Sequence, residues 1–216
     1  FDVANCGIGE VSAVWVYVEP VATLTLDDIE SNLCATTASD VYVDPNIAQE
    51  CIENGCGLDW DNPFKTITWA LQMIMPSEDN QVTLHLANGT YSPETGEEFP
   101  IILPDYLNLQ GEDEDMTILD AQQTDGVITI ETPHSTISYL TITGGDRYWG
   151  GGILCDWGTI DLKYVTITQN TSAMFGGGIF SSRHLDLEYV TINNNVVSGS
   201  MAFNIDEICT PSALDT

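Results

Sequence analysis

The chain has 216 residues, of which 33 are acidic and 4 are basic, so its formal net charge is −29. This charge argues against nucleic acid and anionic membrane surfaces as partners, because their phosphate groups would be repelled. No apolar run is long enough to cross a bilayer, so we expect no membrane insertion. The first residue is Phe1 rather than Met, which favours a processed chain or a fragment.

Residues 1–40 differ in pattern from the rest of the chain. Two apolar runs, at residues 14–18 (VWVYV) and 21–26 (VATLTL), predict strands on either side of Glu19-Pro20. We expect this segment to be an N-terminal β arm, a cap on the following domain, or the remnant of a preceding domain.

Six cysteines favour an oxidising compartment and therefore an extracellular or cell-surface location. Cys51 and Cys56 flank a short loop that contains a glycine, and they are the first predicted disulfide. Cys6 and Cys34 bracket the N-terminal strands and are the second. The cysteines and histidines do not have the spacing of a zinc site, so we expect structural disulfides rather than metal ligands.

Residues 63–75 predict a short amphipathic helix. Asn62 is a favourable N-cap, and Pro63 suits the first helical position. The apolar stripe of this helix contains Ile67, Ala70, Leu71 and Ile74. We expect the helix to cover the N-terminal end of a repetitive core, which would otherwise expose apolar side chains and unpaired backbone groups.

Residues 126–195 contain an internal repeat. Three segments align: TISYLTITGG (136–145), TIDLKYVTITQN (159–170) and HLDLEYVTINNN (184–195). Their tyrosines, Tyr139, Tyr164 and Tyr189, lie 25 residues apart, and the glycine clusters at 150–152 and 176–178 recur 26 residues apart. A period of this size is typical of a solenoid, in which each coil buries its apolar face against its neighbours.

Apolar and polar residues alternate within each copy, which indicates strands with one buried face. The predicted inward residues are Ile160, Leu162, Val165, Ile167, Leu185, Leu187, Val190 and Ile192. The alternation slips by one residue at each tyrosine, so we expect a corner there between two short strands, and a third strand after each glycine cluster. Residues 41–216 therefore predict an all-β fold, a right-handed parallel β-helix with three-strand coils of about 25 residues.

Four segments carry a resemblance to a known family. They are VYVDP (41–45), DWDNPFKTITWALQMIM (59–75), VTLHLANGTYS (82–92) and LNLQGEDEDMTILDAQ (107–122). In this order they resemble the N-terminal part of pectate-lyase-like right-handed β-helix proteins, particularly the DUF1565-type secreted and surface proteins. The resemblance covers roughly residues 41–195 and implies the β-helix architecture. It implies no single activity, because such proteins differ in function.

Calcium is the one cofactor that the sequence suggests. Asp44, Asp59 and Asp61 bracket one loop and could share an ion with backbone carbonyl groups. The acidic run at 112–115 is the second candidate, although four consecutive carboxylates more often form a solvated loop.

Two asparagines have competing interpretations. Asn170 and Asn195 occupy equivalent positions after the repeated tyrosines, which predicts an inward, hydrogen-bonded asparagine ladder. Asn170 also begins a glycosylation sequon, as does Asn88. An inward Asn170 could not carry a glycan, whereas Asn88 lies in a predicted turn.

Aromatic residues provide the candidate ligand contacts. Tyr148, Trp149 and Trp157 lie near predicted coil corners, where they could stack on a sugar ring or pack among themselves. Surface glycans are therefore one expected class of partner.

Catalysis is not expected. A lyase of this fold needs a basic residue beside a calcium site, and Arg147, Lys163 and Arg183 should lie on different faces. The sequence favours a non-catalytic extracellular scaffold, which is a surface, adhesive or fibre-forming protein that assembles with itself head to tail. The alternative is a carbohydrate-binding or polysaccharide-degrading module.

Overall fold

A computed structural model of the chain describes residues 36–52, 55–130, 135–156, 159–199 and 208–209. It is a parallel β-solenoid of about four turns with one short helix, which confirms the predicted fold class. The predicted N-terminal strands, the Cys6–Cys34 pair and Trp157 lie outside the described residues.

The described elements follow one another in a regular order. They are β1 (Asp40–Val43), α1 (Ile67–Met73), β2 (Val82–Leu86), β3 (Gly89–Tyr91), β4 (Ile101–Leu103), β5 (Leu107–Gly111), β6 (Thr117–Asp120), β7 (Ile128–Ile130), β8 (Ser135–Thr143), β9 (Asp146–Trp149), β10 (Ile153–Cys155), β11 (Ile160–Thr168), β12 (Thr171–Phe175), β13 (Ile179–Ser181), β14 (Leu185–Asn193), β15 (Val196–Val197) and β16 (Ile208–Cys209).

Three parallel sheets form the walls of the solenoid. The largest has the order β1-β2-β5-β8-β11-β14, with β3 and β6 joined to it. The second has the order β16-β13-β10-β7-β4, and the third has the order β15-β12-β9. One full coil is therefore β11, β12 and β13, and the next begins at β14 in register with β11. The number of strands in a coil is the predicted one.

The strands at the repeated tyrosines differ from the prediction. Each tyrosine lies inside one continuous nine-residue strand rather than between two short strands. Tyr139, Tyr164 and Tyr189 have φ values of 55°, 53° and 55°, so a single left-handed residue bends each strand and moves its alternation by one position. The ladder continues across the bend because the neighbouring strands bend at the same residue. The strands β9, β12 and β15 form the wall that the sequence did not predict.

The core consists of the inward side chains of these stacked strands. Ile160, Leu162, Val165 and Ile167 on β11 are fully buried, as predicted. Their register partners on β14 are less buried: Leu187 is 42% exposed, and the side chains of Leu185, Val190 and Ile192 are partly buried against the core. Among the described residues, β14 pairs only with β11 in this sheet.

The helix begins later than the sequence predicted. Its N-cap is Thr66, whose side-chain oxygen accepts a hydrogen bond from Trp69 N at 3.2 Å. Phe64 is instead extended and buried beside β1: Phe64 N donates to Tyr42 O at 2.9 Å, and Asp44 N donates to Phe64 O at 2.8 Å. Pairing with the sheet thus overrides the helical preference of Asn62-Pro63.

Helix α1 covers one end of the solenoid. Its buried side chains are those of Ile67, Ala70 and Met73. It contacts β1 and β4, which are the first strands of the two larger sheets. The predicted capping position of the helix is therefore confirmed, and β14 lies at the other end of the largest sheet.

Candidate functional site

A cluster of four aromatic side chains lies where the third sheet meets the second. Trp149 stacks on Phe180 with ring centroids 5.7 Å apart and an interplanar angle of 19°. Tyr148 packs against Trp149 at 5.4 Å, and Phe175 packs against Phe180 at 6.4 Å. Tyr148 is 58% exposed and Trp149 is 41% exposed, so the cluster presents aromatic surface to solvent. We call these four residues the aromatic cluster.

Glycine turns place the aromatic side chains at the ends of their strands. Gly150 and Gly176 follow Trp149 and Phe175 directly, and their φ values are 62° and 61°. A Cβ atom on Gly150 would lie 2.3 Å from the Ile153 carbonyl oxygen, so this close turn needs glycine. A register shift between β9 and β12 then aligns Phe175 with Trp149.

The sequence analysis identified only half of the aromatic cluster. Tyr148 and Trp149 were predicted contact residues, whereas Phe175 and Phe180 were missed. The signal for Phe175 was available, since it follows Trp149 by the same 26 residues that separate the glycine clusters. The proximity of Phe180 required the turn from β12 to β13, which no periodicity specifies.

The three basic residues of the coils lie on three different walls. Arg147 is on β9 in the third sheet, Lys163 is on β11 in the largest sheet, and Arg183 follows β13 of the second. Arg147 Nη1 donates to Thr129 Oγ1 at 2.6 Å, and its Nε lies 3.5 Å from Asp125 Oδ1. Lys163 Nζ lies 3.8 Å from Glu188 Oε2. The guanidinium nearest to the aromatic cluster is therefore already engaged within the protein.

The structure does not gather the predicted calcium ligands. Asp44 Oδ1 accepts hydrogen bonds from the backbone and side chain of Asn46, and Asp59 Oδ1 accepts from Asp61 N and Asn62 N. These carboxylates shape their own turns. Within the described ranges, no three histidine, cysteine, aspartate or glutamate side chains are grouped so that they could hold a metal ion.

The acidic run at 112–115 is also used internally. Glu112 Oε2 accepts from Asn88 N at 3.0 Å, and Asp113 Oδ1 accepts from Asp115 N at 3.0 Å. Glu114 Oε1 accepts from Thr166 Oγ1 at 2.7 Å, which ties the loop to the outer face of β11. The solvated-loop interpretation therefore describes this run better than a cation site does.

The predicted asparagine ladder is present. Asn170 is fully buried and Asn195 is 4% exposed. The Asn170 amide nitrogen donates to Ile142 O, Thr168 O and Asn195 Oδ1 at 3.0–3.1 Å. Since this nitrogen is the atom that a glycan would occupy, the predicted glycosylation of Asn170 is wrong for the folded chain. Asn88 is half-buried, and its Oδ1 accepts from Thr117 Oγ1 at 3.2 Å.

Two carboxylates that the sequence analysis missed hold the start of α1. Glu97 is 3% exposed, and its carboxylate accepts hydrogen bonds from Ile67 N at 2.6 Å and Thr68 N at 2.9 Å. Glu50 accepts from Lys65 N and Thr66 N at 2.7 and 3.1 Å. Burial raises the pKa of the Glu97 carboxyl above its ordinary value of 4.5, while hydrogen bonds from Thr68 and Ile67 act in the opposite direction. Neither glutamate stands near the helix in sequence, so no local pattern could reveal this role.

Cys51 and Cys56 form a disulfide, as their spacing predicted. Among the described residues, no helix is long and apolar enough to cross a membrane. No curated protein and no solved structure matches the chain. A family of parallel β-helix proteins does match it, over residues 54–202. Because this match covers more than half of the sequence, the chain belongs to the family described as "Protein of unknown function (DUF1565)".

Proposed function

We propose that this protein is a non-catalytic extracellular scaffold that adheres to surface glycans through its aromatic cluster. The observation that carries the proposal is the exposed pair Tyr148 and Trp149, held in place by the stacking of Trp149 on Phe180. Exposed aromatic surface of this kind marks interaction sites more often than it marks ordinary solvent-facing surface.

The surroundings of the aromatic cluster favour neutral sugars. The apolar face of a pyranose ring packs on an aromatic side chain while its hydroxyl groups stay hydrated. Asp125, Asp146 and Asp156 are neighbours in the same coils, and Arg147 is engaged by Asp125 and Thr129. A uronic acid or sulfated glycan would meet negative potential here, in addition to the net charge of −29.

The non-catalytic part of the proposal rests on the distribution of the basic side chains. Proton abstraction from a sugar needs a base close to the bound ring. Arg147 is the one basic residue on the strand of the aromatic cluster, and it already has two partners. An extracellular location is supported by the Cys51–Cys56 disulfide, because such bonds persist in oxidising compartments.

Glycan-array binding with neutral and uronic polysaccharides tests the proposal. We expect neutral glycans to bind and Trp149→Ala to weaken binding by roughly tenfold, which corresponds to the loss of one stacked ring. Trp60→Ala is the matched control, because Trp60 is 44% exposed in another part of the molecule, where its ring packs edge-on against Tyr42.

Two outcomes would contradict the proposal. Equal binding by the Trp149→Ala variant and the wild type would remove the aromatic cluster from adhesion. Release of unsaturated or reducing sugar products, with or without added calcium, would instead identify a polysaccharide-degrading module, the alternative that the sequence left open.

A further inference from the structure

The outer edge of β14 is an open apolar surface. Leu162 on β11 is fully buried, whereas its register partner Leu187 on β14 is 42% exposed. The same change affects Val190 and Ile192, which are only partly buried, while Val165 and Ile167 are fully buried. Tyr189 stacks on Tyr164 with one ring face, and its side chain is 68% exposed. This edge therefore has the composition of a coil interface without the burial of one.

The segment before residue 36 leaves the solenoid at the opposite end. Thr36 pairs with Ile74 directly after α1, and α1 contacts β1. In the largest sheet, β1 and β14 are the two outermost strands of the order β1-β2-β5-β8-β11-β14. Five inter-strand steps separate them, which is roughly 24 Å at about 4.8 Å per step. The segment before Thr36 is thus far from β14 of its own chain and adjacent to β14 of a copy stacked beneath α1.

The sequence of this segment fits the exposed edge. Residues 15–18 read Trp-Val-Tyr-Val, and they align with residues 162–165 (Leu-Lys-Tyr-Val) and 187–190 (Leu-Glu-Tyr-Val). In this alignment Tyr17 stacks on Tyr189, Trp15 covers Leu187 and Val18 covers Val190. Pro20 has no backbone N–H and ends the pairing two residues later.

We propose that residues 15–18 of a second copy of this chain add a parallel strand to the open edge of β14. The contact buries the exposed apolar side chains and pairs the free backbone groups of the edge. Because it joins two different surfaces, it is heterologous and propagates head to tail. The inference goes beyond glycan adhesion and does not depend on it.

The charge of the chain determines when this contact forms. Each copy carries a net charge of −29, so two copies repel each other at low ionic strength. Salt screens this repulsion, while burial of the apolar edge is not weakened by salt. Association should therefore increase with ionic strength, the reverse of what a contact held by ion pairs would show.

Sedimentation velocity of the full chain at rising concentration and high salt is the first measurement. We expect a series of oligomers for the wild type. Leu187→Asn disables the β14 edge and Val18→Asn disables the added strand, so each variant alone should be monomeric, with association weakened at least roughly tenfold. The matched controls are Met116→Asn, at an apolar residue 58% exposed elsewhere, and Val16→Asn, at the neighbouring outward position.

Mixing the two disabled variants is the decisive experiment. One intact β14 edge and one intact strand remain in the mixture, so dimers should form that cannot extend further. Unchanged circular dichroism of each variant shows that the monomer is folded. A wild type that stays monomeric at high salt, a mixture that stays monomeric, or controls as defective as the Leu187→Asn and Val18→Asn variants would each overturn the proposal.

Discussion

The amide groups of Asn170 and Asn195 form a continuous hydrogen-bonded stack between successive coils. Asn170 Nδ2 and Asn170 N both donate to Asn195 Oδ1 at 3.0 Å, and Asn195 Nδ2 donates to Ile167 O at 2.9 Å. Gly145 N in turn donates to Asn170 Oδ1 at 2.9 Å. These buried side chains satisfy backbone groups at the corner where each coil leaves the largest sheet.

Replacing Asn170 with alanine should therefore destabilise the protein strongly. Each buried group left without a partner costs about 1–3 kcal/mol, and this change leaves several unpaired. Chemical denaturation measures the loss of unfolding free energy. Asn193→Ala is the control: Asn193 is exposed and bonds to Thr168 Oγ1, so its removal should cost less than about 1 kcal/mol. Similar losses for both variants would argue against a structural ladder.

Leu162 and Leu187 provide a matched test of the burial gradient. They are register partners on β11 and β14, but Leu162 is fully buried and Leu187 is 42% exposed. Leu162→Ala should lower the unfolding free energy by about 2–5 kcal/mol, because it leaves a cavity. Leu187→Ala should lower it by about 1 kcal/mol or less at concentrations where the chain is monomeric. Equal losses would mean that β14 is covered in the monomer.

The stacked tyrosines compensate for a strained backbone. Tyr164 has a φ of 53°, and its ring stacks between those of Tyr139 and Tyr189 with centroids 4.9 and 4.8 Å away. Tyr164→Ala removes both stacks and keeps the strain, so it should cost about 1–3 kcal/mol. Tyr164→Gly removes the stacks but also the strain, and should be more stable than the alanine variant by about 1 kcal/mol. Thermal and urea unfolding measure this order, which is the reverse of that expected in an ordinary strand.

Glu97 should make stability depend on pH. Burial raises its pKa above the ordinary value of 4.5, so the folded chain binds a proton more tightly than the unfolded chain does. Between the ordinary pKa and the raised one, stability therefore increases as the pH falls. We expect the unfolding free energy of the wild type, relative to that of Glu97→Gln, to increase as the pH decreases through the raised pKa toward 4.5.

The comparison with Glu97→Gln isolates this residue, because the other carboxylates titrate alike in both proteins. A difference between the two proteins that stays constant with pH, or one that decreases as the solution becomes acidic, would contradict the raised pKa.

Periodicity in the sequence determined the repeating part of this protein. The 25-residue spacing of Tyr139, Tyr164 and Tyr189 and the alternation around them predicted the register, the inward residues of β11 and the asparagine ladder. Such features are predictable because each coil repeats the same local packing, so one copy constrains the next. The acidic composition likewise limited the classes of partner without reference to the fold.

Only the tertiary structure decided the features that depend on distant residues. Pro63 and Phe64 have a helical context in sequence, but pairing of Phe64 with β1 moves the start of the helix to Ile67. Glu97 reaches that helix from 30 residues away, and Phe180 meets Trp149 across a turn between sheets. Asp44 and Asp59 turned toward their own loops because nearby N–H groups satisfy their carboxylates more directly than a shared ion would. Contacts of this kind arise from the closing of the solenoid, which local preference and spacing do not encode.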